Sequence, residues 1–262
     1  MGGGPVVLLV HGTGSSTHSW RDLAPLLARN FTVVAADLPG HGFTEQASPG
    51  LLSLPGMARG LHQLLRTLDL KPVLAVGHSA GAAIIIRMSL DGLLGTRGLV
   101  SLNGALWPFQ GVISHLFSPF AKLLVSNPLV PRLFAWRASD RSAVERLIKN
   151  TGSTLDRTGI ELYQRLVSSP DHVAAALGMM ANWNLESLAR DLPRLEPQLV
   201  LVAAGNDRTV PSEQSFRVRG LLPSSRVEYL RGLGHLAHEE RPADISKIIV
   251  RLAASLDLSE SH

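Results

Sequence analysis

Pro72-Val-Leu-Ala-Val-Gly-His-Ser-Ala-Gly81 is the stretch from which the rest of the chain can be read. An apolar run ends in Gly77-His78-Ser79-Ala80-Gly81, and a helical pattern over residues 82–90 starts at once. Strand, sharp turn with a serine at its apex, then helix: that order gives Gly-x-Ser-x-Gly chemical content. A serine on such a turn adopts strained backbone angles, and the positions two residues either side face the adjoining helix and strand, where a Cβ would collide. Gly77 and Gly81 meet that demand, and Ala80, Ala82 and Ala83 keep the helix close to the sheet. The hydroxyl is then expected above the strand end, beside unpaired N–H groups of the helix N-terminus, which favour negative charge. The competing reading is a glycine-rich turn whose serine only caps the helix.

On either side of this stretch the chain alternates strand-like and helical runs. Strands are expected over residues 5–10, 31–37, 72–76, 98–102, 198–204 and 227–230, with helices near 20–29, 57–68, 82–90, 213–221 and 243–256. The strands read as continuous apolar runs such as Val6-Val-Leu-Leu-Val10, not as alternating ones. Such runs mark a sheet covered on both faces, hence an α/β fold with a mostly parallel, doubly wound sheet. Residues 105–195 interrupt the alternation with helical patterns broken by Pro108, Pro119, Pro128 and Pro131. They read as an inserted helical cap, leaving 1–104 and 196–262 as the core.

A length of 262 residues suits one such domain with its insertion, and 45% hydrophobic residues supply the core. With no cysteine there are no disulfides, thiolate zinc sites or Cys nucleophile, which is compatible with a reducing cytoplasm. The start, Met1-Gly-Gly-Gly-Pro-Val6, lacks the basic region of a signal peptide, and Val6 breaks the myristoylation pattern. No apolar run reaches the ~20 residues needed to span a bilayer. The formal charge of +4 is unclustered and accompanies no nucleic-acid motif, so no nucleic-acid partner is expected. The chain is therefore expected in the cytoplasm.

A serine hydroxyl needs a base to take its proton, and the base needs a third group to orient it. Of ten histidines, His235 follows the strand at 227–230 in the loop Gly232-Leu-Gly-His-Leu-Ala-His-Glu-Glu240, whose glycines let the imidazole reach over the strand ends. His238 competes, although it is expected to begin the last helix, where capping or structural roles are more usual. A His-x-x-His metal pair is a third reading, without a carboxylate or thiolate placed to complete it; no metal and no cofactor are expected. The orienting acid should end the preceding strand, where Gly205-Asn-Asp-Arg-Thr-Val-Pro211 offers Asp207. The end of the strand at 98–102 is the other place for this acid, but Asn103 occupies it, and an amide cannot stabilise a forming imidazolium. The order Ser79, Asp207, His235 suits a hydrolase. For the oxyanion, the backbone N–H of Ala80 and that of Thr13 in His11-Gly-Thr-Gly14 are expected donors, with His11 a buried hydrogen-bonding residue.

At this point the chain resembles the α/β-hydrolase superfamily. The matching pieces are His11-Gly-Thr-Gly14, Asp37-Leu-Pro-Gly-His-Gly-Phe-Thr44, Gly77-His-Ser-Ala-Gly81, Gly205-Asn-Asp-Arg-Thr-Val-Pro211 and Gly234-His-Leu-Ala-His-Glu-Glu240, in family order over nearly the whole chain. Narrower strings, among them His11-Gly-Thr-Gly-Ser-Ser-Thr-His-Ser-Trp20, Leu129-Val-Pro-Arg-Leu-Phe-Ala-Trp-Arg137 and Ala176-Leu-Gly-Met-Met-Ala-Asn-Trp183, are similar to the BchO group, accessory proteins of magnesium chelatase in bacteriochlorophyll synthesis. That resemblance implies a tetrapyrrole pathway and a magnesium chelatase contact, without an agreed chemical step. Hydrolases of this fold usually begin with an antiparallel hairpin, and only four residues precede Pro5 here. The resemblance thus implies a missing N-terminal hairpin and an uncovered edge at 31–37.

Within the cap segment, Trp107, Phe109, Phe117, Phe120, Phe134 and Trp136 are six of the chain's thirteen aromatics. Lys122, Arg132 and Arg137 accompany them, with no acidic residue between 107 and 139. The six aromatics are the candidate substrate-binding surface for a bulky apolar molecule such as a magnesium porphyrin, and the basic residues suit carboxylate arms or peripheral contact with an anionic membrane. The leading expectation is a serine hydrolase acting on an ester or acyl bond. The alternatives are a non-catalytic tetrapyrrole carrier or chelatase partner, and a lyase or cofactor-free oxygenase on the same triad.

Overall fold

The computed structural model describes residues 1–108, 127, 129–138 and 140–258. Each strand-like run becomes a strand: β1 (Val6–Val10), β2 (Thr32–Ala36), β3 (Leu74–His78), β4 (Gly98–Leu102), β5 (Gln198–Ala204) and β6 (Arg226–Leu230). They form one sheet in the order β2-β1-β3-β4-β5-β6, every pairing parallel. The run Val6-Val-Leu-Leu-Val10 shows why no alternation is visible. Val7 and Leu9 pack on one face, with Trp20, Leu27 and Ile249. Leu8 and Val10 pack on the other, with Met57, Leu61 and Ile85. Both faces are apolar because both are covered, each fully buried side chain of this size contributing about 1.5–3 kcal/mol.

In chain order the helices are α1 (Ala24–Leu27), α2 (Leu54–Thr67), α3 (Ala80–Leu90), α4 (Leu129–Ala138), α5 (Arg141–Asn150), α6 (Arg157–Val167), α7 (Pro170–Ala181), α8 (Glu186–Asp191), α9 (Glu213–Leu221), α10 (Ala237–Glu240) and α11 (Pro242–Ser255). The helix expected near 20–29 is instead a 3₁₀ turn, Thr17–Trp20, followed by the short α1. Pro25 is the reason: inside a longer helix its ring would meet the carbonyl four residues back, so the helix restarts with proline in its first turn. Of the segment between β4 and β5, the described part is helical. Asp140, Asp156 and Ser169 cap α5, α6 and α7 by accepting from Ser142, Gly159 and His172 N–H groups. Leu185, Leu188, Leu192 and Leu195, at its end, belong to the same buried cluster as α2 and α3.

At the β2 edge, Val33 N–H donates to the Met1 carbonyl at 2.8 Å, and the Met1 ammonium donates to the Val33 carbonyl at 2.9 Å. The edge expected to be uncovered is therefore met at this position. Chain direction across the sheet reverses between β1 and β3, whose connections leave to opposite sides. A crevice opens at the carboxyl ends of strands at such a reversal, and the loops after β1 and β3 are those of Gly12 and Ser79.

Candidate active site

Ser79 follows β3 with φ +52° and ψ −116°, a conformation costing a non-glycine residue on the order of 1–3 kcal/mol. Its surroundings hold it there. Ser79 N–H donates to the Leu102 carbonyl at 3.0 Å, and its own carbonyl accepts from Ala82 and Ala105, each at 3.2 Å. A Cβ on Gly77 would stand 2.5 Å from Ala82 N, and one on Gly81 would run into the Val10 carbonyl. The half-buried Ser79 side chain makes no capping hydrogen bond to α3, which removes the capping reading. Ala80 opens α3, so its N–H belongs to the first turn, whose donors lack intrahelical partners. The loop after β1 presses on the same spot: a Cβ on Gly12 would lie 2.9 Å from the Ser79 Cβ.

His235 and Asp207 meet across the ends of β5 and β6. His235 Nδ1–H donates to Asp207 Oδ2 at 2.8 Å, with the imidazole nearly buried and the carboxylate wholly so. Thr209 and Val210 N–H groups donate to Asp207 Oδ1 at 2.8 and 2.9 Å, and Asn103 Nδ2 donates to Oδ2 at 2.7 Å. A buried carboxylate that accepts from four donors is held in one orientation. Asn103, at the other strand end, thus donates to Asp207; it has φ +49° and is buried. Sequence offered no signal for this contact, which spans 104 residues.

The residue before the serine reaches the histidine loop. His78 Nε2 lies 2.9 Å from the His235 carbonyl, which it engages as donor, and the two rings are 4.7 Å apart. His238, the competing base, does not open the long final helix; it lies in the short α10, fully buried between Trp20 and His78. Burial pushes its imidazole down to about 3, with the nearby His235 next in importance, so it stays neutral and structural. His11 is also buried: Nδ1 donates to the Gly12 carbonyl at 2.8 Å and Nε2 accepts from Leu38 N–H at 2.9 Å. Burial lowers its pKa to about 4. Among the described residues no group of three or more His, Asp or Glu could hold a metal ion.

Thr13 is half-buried, and its hydroxyl donates to Met179 Sδ on α7 at 3.4 Å, so α7 roofs the loop after β1. Of the candidate cap aromatics, Trp107 is half-buried, with the Arg217 guanidinium 3.8 Å over its ring. Phe134 and Trp136, on α4, are 55% and 70% exposed. Phe109, Phe117, Phe120 and Lys122 lie outside the described residues.

A buried carboxylate that the motifs did not single out sits beside the site. Glu239 accepts from Arg21 at 2.7 Å and from the Tyr163 hydroxyl of α6 at 2.8 Å; Arg21 also pairs with Asp22 and Asp156. Burial raises the Glu239 carboxyl from 4.5 to about 7, against the pull of Tyr163 and Arg21. Between about pH 4.5 and 7 the folded protein therefore holds a proton that the unfolded chain has released, and this group's contribution to stability falls as pH rises. Buried histidines such as His11, His41 and His238 act oppositely below about pH 6.5, where unfolding lets them charge. The Glu239→Gln protein isolates the carboxyl: its stability relative to wild type should rise by on the order of 2 kcal/mol between about pH 5 and 8 in urea titrations. A constant difference across that range would show that Glu239 stays ionised.

No described helix is long and apolar enough to cross a membrane. Residues 7–248 match the family described as "Alpha/beta hydrolase family". The chain is 36% identical over 247 residues to the "Magnesium-chelatase 30 kDa subunit" of Rhodobacter capsulatus, covering 94% of this chain and 86% of that one. Among solved structures, an α/β-hydrolase-fold protein from Burkholderia ambifaria superposes with a TM-score of 0.78 at 24% identity, covering 98% of this chain and 92% of that one. For a lipase of Acinetobacter baumannii described as putative, the TM-score is 0.80 at 19% identity, with 98% and 86% covered. At these identities the two structures speak for the fold alone.

Proposed function

Because the chain belongs to the alpha/beta hydrolase family, we propose that it is a serine hydrolase in which Ser79 is the nucleophile, His235 the base and Asp207 the orienting acid. The observations that carry the proposal are the buried 2.8 Å His235–Asp207 hydrogen bond and the strained backbone of a serine whose hydroxyl does not cap its helix. Ser79 Oγ attacks the carbonyl carbon of an ester or acyl bond as its proton passes to His235 Nε2, and Asp207 stabilises the imidazolium that forms. Charge growing on the carbonyl oxygen is received by the N–H groups of Thr13 and Ala80. His235 returns the proton to the leaving group, and water releases the acyl group by the reverse sequence. Residues 105–195 are the proposed cap, and a bulky apolar acyl compound is the proposed substrate. A fluorophosphonate probe should label one residue, Ser79, as read by peptide mass; no labelling of the folded protein would overturn the proposal.

Similarity to the chelatase subunit favours a second reading, a tetrapyrrole carrier or magnesium chelatase partner. Exposed Leu129, Leu133, Phe134 and Trp136, with Arg132 and Arg137, give α4 an apolar and basic surface suited to a macrocycle with carboxylate arms, a chelatase subunit or an anionic membrane. This reading expects micromolar or tighter binding of a magnesium porphyrin, weakened by Trp107→Ala, Trp136→Ala and raised salt, in titrations of porphyrin absorbance and tryptophan quenching. Co-sedimentation with anionic liposomes in the absence of porphyrin would instead assign the surface to the membrane.

A further inference from the structure

The segment Thr151-Gly-Ser-Thr154, just after α5, runs between the loop of Asp207 and the loop of His235. Its contacts fall on the neighbours of both residues. The Thr151 carbonyl accepts from Arg208 N–H at 3.1 Å and from His235 N–H at 3.3 Å. The Ser153 hydroxyl oxygen, 1% exposed as a residue, accepts from Leu236 N–H at 2.8 Å. Thr154 N–H donates to Glu240 at 3.4 Å, and the same carboxylate accepts from Gly234 N–H at 2.8 Å. Gly152 has φ +86°, and a Cβ there would run into the Asn206 carbonyl. The side chain of Leu236 packs on Val144 and Ile148 of α5. Residues 206, 208, 234, 235 and 236 are thus all referred to one four-residue segment of the proposed cap.

We propose that residues 151–154 are a positioning strap, through which the placement of α5 sets the alignment of Asp207 and His235. The physical reason is geometric. The two loops come from different strands, and a hydrogen bond of 2.8 Å between their side chains tolerates little relative movement. A carbonyl shared by the N–H groups of Arg208 and His235 ties the two loops to one point, and displacement of α5 withdraws that tie, leaving the imidazole free to part from its acid. The segment therefore does more than cover a pocket: its seating on the core is a condition for an oriented base. The inference deepens the hydrolase reading and rests on it for its kinetic readout.

The test uses the full chain with Ser153→Ala, Gly152→Ala and, as a control in the adjoining α5, the exposed Lys149→Ala. Two quantities are read: the rate constant for fluorophosphonate labelling of Ser79, and the downfield proton resonance of the His235–Asp207 hydrogen bond. That resonance is assigned with imidazole-¹⁵N histidine and by its loss in Asp207→Asn. Ser153→Ala leaves the Leu236 N–H buried without its acceptor, and should slow labelling about tenfold or more and shift or broaden the resonance. Gly152→Ala should do the same more severely, and Lys149→Ala should change neither. Should Gly152→Ala not fold, Ser153→Ala decides. Labelling within twofold of wild type and an unmoved resonance would overturn the strap, as would slowed labelling with an unmoved resonance. If wild type is not labelled at all, the hydrolase reading falls, and the resonance alone still decides the strap.

Discussion

Ser79→Ala is expected to lower hydrolysis of an activated acyl ester by on the order of 10⁶-fold, the loss seen when a triad nucleophile is removed. Nothing that holds the turn is taken away with the hydroxyl. The backbone bonds of Ser79 to Leu102, Ala82 and Ala105 persist, and the side chain caps nothing. Alanine at φ +52° carries the same strain as serine, so the melting temperature should stay close to wild type. Burst and steady-state release of the leaving group, with circular dichroism as the folding control, measure both parts. Activity that survives the substitution would remove Ser79 from the chemistry.

Asp207→Asn should lower the same activity by on the order of 10⁴-fold, because an amide favours the wrong imidazole tautomer. Here the substitution does more than exchange one acceptor. Asp207 Oδ2 takes hydrogen bonds from both His235 and Asn103, so an amide nitrogen in its place would face two donors. The alternative rotamer turns that nitrogen on the N–H groups of Thr209 and Val210 instead. Either arrangement leaves donors opposed in a buried site, and the variant should also lose stability. Asn103→Leu removes one of four hydrogen bonds and should cost much less, about tenfold. A damaging Asn103 change beside a near-wild-type Asp207→Asn would place the acid function at the other strand end.

Much of the fold was written in local pattern. Strand-like runs specified the six strands to within about two residues, and the inner ones, β1, β3, β4 and β5, show little alternation because both of their faces are buried. Gly77 and Gly81 announced the strained turn before any angle was known, because backbone and helix approach there too closely for a side chain. Pro25 is equally legible: within the apolar pattern near 20–29 it stands where a longer helix must break and restart. The loops of Asp207 and His235 were recognisable by motif, and the parallel sheet that brings their strand ends together follows from the order of elements.

Tertiary structure alone decided what surrounds those residues. Asn103 reads as a vacant acid position and is a donor to Asp207; Glu239 reads as the tail of a histidine motif and is buried between Arg21 and Tyr163. Residues 151–154 carry no signal in the sequence, yet they join the loop of Asp207, the loop of His235 and α5. The physical reason is the range of the interactions. Strand and helix patterns arise from neighbours two to four residues apart and leave a period in the chain. A hydrogen bond from Leu236 to Ser153, or from Asn103 to Asp207, spans 83 or 104 residues and is specified by the packing of whole layers, which leaves no periodic trace in the sequence.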